Sequence, residues 1–142
     1  MAQSSSDKRD RLAAAAAQLV LERGLDGATI AAIADLAGVP QGSVYYTLRS
    51  KADIAMAAAQ HAAARRMDSI LQWDAAKQPG ERLIGYLDAA ATNAVQTSQT
   101  GSLTSLASRL HAAAPDAAKL AAGALRDTIE WAARQFEELG FP

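Results

Sequence analysis

Gln41, Gly42, Ser43, Tyr45, Tyr46 and Lys51 are the residues of this 142-residue chain whose types and spacing can do chemistry. A glutamine amide offers a donor and an acceptor together, matching the paired groups on an adenine edge. A glycine beside it lets a backbone come close to a partner. Tyrosine hydroxyls and a lysine ammonium donate to phosphate oxygens. This is chemistry for holding a nucleic acid. Bond-breaking chemistry is not expected: the chain has no cysteine and only two histidines, His61 and His111, neither with a carboxylate at useful spacing. No metal site and no cofactor are anticipated.

The elements that must position these residues follow from local pattern. Ile30, Ile33, Ala34 and Ala37 recur at helical spacing and form one buried stripe of a short helix. Gly38 follows where a left-handed backbone begins a tight turn, and Val39 plugs that turn into the core. Pro40 presets a second short helix, from Gln41 to about Leu48, carrying Gly42, Ser43, Tyr45 and Tyr46 outward. Two helices joined so tightly, the second small and hydroxyl-rich, make a helix-turn-helix able to enter a major groove.

Half the residues are hydrophobic and only 5% aromatic, with alanine filling most helical positions. That mixture favours close-packed helices over sheets. The absence of cysteine suits a reducing cytoplasm. No apolar run reaches membrane-spanning length, and the start lacks a signal-peptide core. The net charge of −1 hides an asymmetry: residues 1–66 carry eight Lys/Arg against six Asp/Glu, residues 67–142 six against nine. A mildly basic front and an acidic rear suit a reading head on a sensor body.

Along the chain, residues 1–6 read as a polar arm. Asp7 caps a helix to about Arg23 with Leu12, Ala16, Leu19 and Val20 inward, and Gly24 stops it. Thr29 caps the first helix of the reading pair. Ser50 and Asp53 form a capping box for a helix from Lys51 to about Trp73. That helix is apolar on two sides, Ile54, Ala58 and Ala62 on one and Met56, Ala63, Met67 and Ile70 on another. A helix buried twice bridges two cores, which puts a domain junction along it: residues 1–55 in front, 56–142 behind. Pro79 opens a helix to about Val95 with Leu83, Ile84, Leu87, Ala91 and Ala94 inward. Thr97 to Gly101 is a polar break, and a short helix with Leu103, Leu106 and Leu110 inward follows it. Pro115 starts the cleanest amphipathic helix, with Leu120, Ala121, Ala124, Leu125, Trp131, Ala132, Phe136 and Leu139 on its apolar side. The fold class is all-α.

The run Gly24-x-x-Gly27-x-Thr29-x-x-x-Ile33-Ala34-x-x-Ala37-Gly38-Val39-x-x-Gly42-x-x-Tyr45-x-x-Leu48-x-Ser50-Lys51 strongly resembles the DNA-binding domain of TetR-family transcriptional regulators. The resemblance implies a three-helix helix-turn-helix domain followed by a helical ligand-binding domain. It further implies a repressor that binds a palindromic double-stranded DNA operator as a homodimer and is released by a small apolar ligand. By position, Thr29 holds a phosphate, Gln41, Gly42 and Ser43 face base edges, Tyr45 and Tyr46 meet bases or phosphates, and Lys51 a phosphate. Thr47 stands where histidine is common, Leu48 where phenylalanine is usual, and Ala31 where some members place a base-reading arginine. Lys8, Arg9 and Arg11 are a candidate minor-groove arm, weighed against a solvated helix start.

In the rear half, polar groups on or beside apolar faces mark a candidate ligand site: Tyr86, Asn93, His111, Thr128 and Gln135, with Met67 and Trp131. Such a site is mostly apolar with a few polar anchors. Each residue also has a plain structural role open to it, Thr128 by bonding its own helix carbonyl. The chain stops at Leu139-Gly140-Phe141-Pro142, before the two helices through which the family usually pairs, so weak dimerisation is expected. The alternatives to a DNA-binding regulator are a helical protein-interaction module or a shortened regulator that no longer binds DNA.

Overall fold

A computed structural model of the chain describes residues 4–96 and 103–142, and for residues 93–96 the backbone only. The described residues form seven helices and no strand: α1 (Ser5–Gly27), α2 (Ile30–Ala37), α3 (Gln41–Tyr45), α4 (Lys51–Asp74), α5 (Pro79–Gln96), α6 (Leu103–Leu110) and α7 (Pro115–Glu138). The polar break at Thr97 to Gly101 lies outside the described residues. Among them, no helix is long and apolar enough to cross a membrane.

The first helix begins earlier than the sequence pattern suggests. Ser4 is its cap, its Oγ accepting from the Asp7 N–H at 3.3 Å. Asp7 instead sits in the first turn and pairs with Arg11 one turn on, at 3.5 Å. Both residues can cap, and the one further upstream adds a turn. Gly24 breaks the helical path with φ of 76°, as its type allows, and one more turn carries α1 to Gly27. Lys8, Arg9 and Arg11 therefore belong to the helix, and Arg11 Nη1 donates to the Ala37 carbonyl at the end of α2 at 3.1 Å.

Alanine sets the packing. α1 lies along α4 and also meets α2 and α6, while α7 lies along α4, α5 and α6. The facing surfaces are lined by Ala15 and Ala16 of α1, Ala55, Ala58 and Ala59 of α4, and Ala117, Ala118 and Ala121 of α7, all buried. Leu12, Val20, Ile33, Val44, Leu106 and Leu110 supply the bulk, each less than 2% exposed. These residues form one contiguous core from Leu12 to Ala124.

Two stripes differ from their sequence pattern. Leu83 of α5 is buried, but Ile84 and Leu87 are 59% and 60% exposed, and Ala91 is exposed as well. α5 packs on α4 and α7 along one narrow line, so only part of its apolar face has a neighbour among the described residues. On α7 the buried line is Ala117, Ala121, Ala124, Thr128, Trp131 and Gln135, leaving Leu120, Phe136 and Leu139 exposed. Leu103, Leu106 and Leu110 of α6 all point inward.

Candidate nucleic-acid interface and the sensor helices

The geometry of the reading pair starts at Thr29, whose Oγ1 accepts from the Ala32 N–H at 3.2 Å and caps α2. The residue is exposed, and its hydroxyl hydrogen remains available to an outside acceptor. At the other end of α2, Gly38 is left-handed with φ of 67°. The Val39 N–H reaches the Ala34 carbonyl at 3.0 Å and the Gly38 N–H reaches the Asp35 carbonyl at 3.3 Å. That pair of bonds is a Schellman closure, which fixes the angle at which the chain leaves the helix. Val39 then packs against the core, and extended Pro40 precedes α3.

Regular α3 stops at Tyr45, sooner than the expected end near Leu48. Thr47 and Leu48 both donate to the Val44 carbonyl, at 3.0 and 2.7 Å, because Leu48 must swing inward to be buried. Val44 is fully buried and Ser43 half-buried, so α3 is seated by Val44 with Leu48 behind it. Gln41, Gly42 and Thr47 are exposed, and Tyr45 and Tyr46 are 58% and 84% exposed. The two rings stand in solvent and do not cover the small core. Gly42 has open space on its side-chain side, with nothing within 4 Å of where a Cβ would stand. No contact inside the molecule requires a glycine there.

Behind α3, Ser50 caps α4 by accepting from the Asp53 N–H at 3.1 Å. The Asp53 carboxylate reaches the Arg49 N–H at 2.9 Å, one residue before the partner of a standard capping box. Lys51, on the first turn of α4, pairs with Asp26 from the last turn of α1. The Lys51 hydrogen bond and charge hold the Asp26 carboxyl below its usual range. Both groups are largely exposed, so the pair is weak and salt-sensitive, and a phosphate can compete for the ammonium.

A short helix with one buried plug, polar and tyrosine side chains outward and a glycine turn before it is a DNA-reading unit in form. Residues 12–58 match the family model for bacterial regulatory proteins of the tetR family. The front of the chain is a tetR-family DNA-binding domain, and the protein is a DNA-binding transcriptional regulator. No curated protein matches the chain. The regulator thus has a DNA-binding domain built from α1, α2, α3 and the start of α4, and acts in transcription. Where it departs from the family pattern, Leu48 stays buried, and Ala31 and Thr47 are exposed.

In the rear half, Thr128 and Gln135, both singled out in the sequence, are engaged within the fold. Thr128 is 3% exposed, and its hydroxyl donates to the Ala124 carbonyl at 2.9 Å. Gln135 is equally buried; its amide donates to the Trp131 carbonyl at 3.3 Å and its Oε1 accepts from Arg82 Nη1 at 3.1 Å. Arg82 also donates from Nε to the Ala76 carbonyl at 2.8 Å and lies 3.5 Å from Glu138. Trp131 Nε1 donates to Asp74 at 2.7 Å, fastening α7 to the end of α4. Trp73, Tyr86 and Trp131 form one aromatic cluster with centroids 5.2 to 6.1 Å apart. Gly85 lets α5 come this close, since a Cβ there would stand 3.3 Å from the Trp73 ring. His111 is exposed just beyond α6, and the side chain of Asn93 lies outside the described residues.

Among the clefts on the surface of the described residues, two stand out. One of about 560 Å³ lies between the start of α1 and α4 and reaches Tyr46 and Thr47. Its wall includes His61, whose imidazole is pushed below its ordinary value by burial and by Arg65, with Asp10 acting the other way. The other, about 240 Å³, lies between α4 and α7. Met67 lines it, the single expected ligand residue found at either cleft. Arg66, Lys119, Gly123 and Asp127 also line it. Helical periodicity does not reveal a groove between helices, so the sequence pattern does not mark Lys119 or Asp127 for such a site.

Proposed function

We propose that this regulator is a cytoplasmic repressor whose reading heads occupy the half-sites of a palindromic operator and which a small ligand releases. The observation that carries the DNA-reading part is the outward face of α3. Gln41, Gly42, Tyr45, Tyr46 and Thr47 are exposed, and no packing requirement of the molecule accounts for this choice of residues. A protein-docking face would favour apolar groups at the centre of its patch. In this reading Gln41 and Ser43 meet base edges, Gly42 lets the backbone approach, and Thr29, Tyr45, Tyr46, Thr47 and Lys51 position phosphates.

The release part rests on α4, one unbroken helix from Lys51 beside the reading pair to Trp73 and Asp74 in the rear cluster. The domain division at residues 55 and 56 falls within it. Residues 56–142 serve as the sensor, with Met67 at the ligand. Tyr86, Thr128, Trp131 and Gln135 brace the sensor, and Asn93 and His111 are further candidate ligand residues.

Footprinting on the DNA upstream of the native gene, followed by binding to the identified site, tests the reading. Gln41→Ala should relax base preference at one position per half-site, by about 1–3 kcal/mol. Lys51→Ala should weaken all sequences alike and reduce the salt slope by about one unit per half-site. Uniform loss across sequences for both variants rejects base reading by Gln41.

A further inference from the structure

We propose that the cleft between α4 and α7 binds a medium-chain amphipathic monocarboxylate of about eight carbons, an inference that rests on the ligand-release reading above. Its floor is apolar: Met67 and Ile70 from α4, Leu120 and Ala124 from α7. Its rim is charged, with Arg66 on one helix and Lys119 and Asp127 on the other. Among the described residues no salt bridge joins any of these three charges to a partner. Arg66 is half-buried, its guanidinium carbon 5.9 Å from the Trp73 ring centroid. Two cations and one carboxylate leave the rim one positive charge in excess. A single anionic group above an apolar floor complements that arrangement, whereas a second anion meets Asp127.

Gly123 supplies the second observation. It lies in the middle of α7, where glycine weakens a helix by about 1 kcal/mol relative to alanine. Nothing stands within 4 Å of where its Cβ would be, so no neighbouring helix demands the small residue. What the missing side chain does is keep the cleft open. At about 240 Å³ the space is smaller than the roughly 300–1,000 Å³ of sites for drug-sized ligands, so the occupant is small. A ligand seated there wedges α4 from α7 and acts on the helix that carries Lys51.

Octanoate, 1-octanol, octylamine and the eight-carbon dicarboxylate suberate are the probes, titrated into the full chain by calorimetry and followed by emission from the Trp73–Trp131 cluster. Octanoate should bind best, and a ranking with the alcohol, amine or dicarboxylate above it overturns the proposal. Arg66→Gln and Lys119→Gln should each weaken octanoate roughly tenfold while leaving octanol unchanged. Gly123→Leu should abolish binding of all four probes with the melting temperature kept or raised. Should Gly123→Leu fail to fold, the two charge variants still decide the case, because equal losses for octanoate and octanol reject the rim contacts. Operator binding is measured separately. Octanoate that binds without releasing operator DNA leaves the site intact and removes the release reading, whereas no octanoate binding at millimolar concentration removes the site.

Discussion

Replacing Gly42 by alanine separates the needs of the fold from those of DNA binding. In the free protein the new methyl group meets nothing within 4 Å, and the backbone there is helical, so no steric cost opposes it. Alanine in place of glycine in a helix contributes about 0.5–1 kcal/mol. For a chain of 142 residues this raises the melting temperature by about 2–3 °C. In the proposed complex with DNA the same methyl group must enter a contact that closes on bare backbone. By analogy with an overfilled core, which costs about 1–3 kcal/mol, affinity should fall roughly five- to 150-fold. Thermal melting and fluorescence anisotropy on the footprinted operator read the two effects from one preparation. A more stable protein with undiminished affinity would refute close approach at Gly42, and a less stable protein would refute the open space around it.

Asp26→Asn frees Lys51 from its intramolecular partner and removes a negative charge beside the reading pair. Operator affinity should rise, and the rise should shrink as salt is added from 50 to 300 mM. Arg82→Ala leaves the buried Oε1 of Gln135 without its donor, and urea unfolding should show a loss of about 1–3 kcal/mol. Because the His61 imidazole is depressed in the fold, the unfolded chain takes up a proton first as pH falls. Its contribution to stability is therefore full above the ordinary value of 6.5 and declines below it, down to the folded value. Wild type should lose stability relative to His61→Gln between pH 7 and pH 5, and parallel curves would contradict this sign.

Much of the reading pair could be read from residue order because its signals are local. The turn at Gly38, the caps at Thr29 and Ser50 and the plug at Val39 each depend on a handful of adjacent residues. The rear half depends on which helix lies beside which. Periodicity identified the apolar faces of α5 and α7, but it did not say which part of a face has a partner. Ile84 and Leu87 were assigned inward on that basis and are exposed. Thr128 and Gln135 were correctly placed in the buried stripe of α7, and their partners could not be read because Arg82 lies 53 residues from Gln135. The cleft between α4 and α7 was hidden for the same reason, with only Met67 drawing notice.

The alanine-lined surfaces between α1, α4 and α7 have a mechanical consequence. A leucine-rich interface can absorb a small displacement by exchanging rotamers, so a push on one side dies out among soft side chains. Alanine has no rotamers to exchange. Ala55, Ala58 and Ala59 present only buried methyl groups to the helices beside α4, so a displacement meets little soft material there. α4 is then obliged to slide or tilt as a stiff rod, in the manner of shear between packed helices. At 24 residues it is about 36 Å long, and a tilt of about 5° moves its far end by about 3 Å. That is enough to take Lys51 out of hydrogen-bonding range of the phosphate it is proposed to hold.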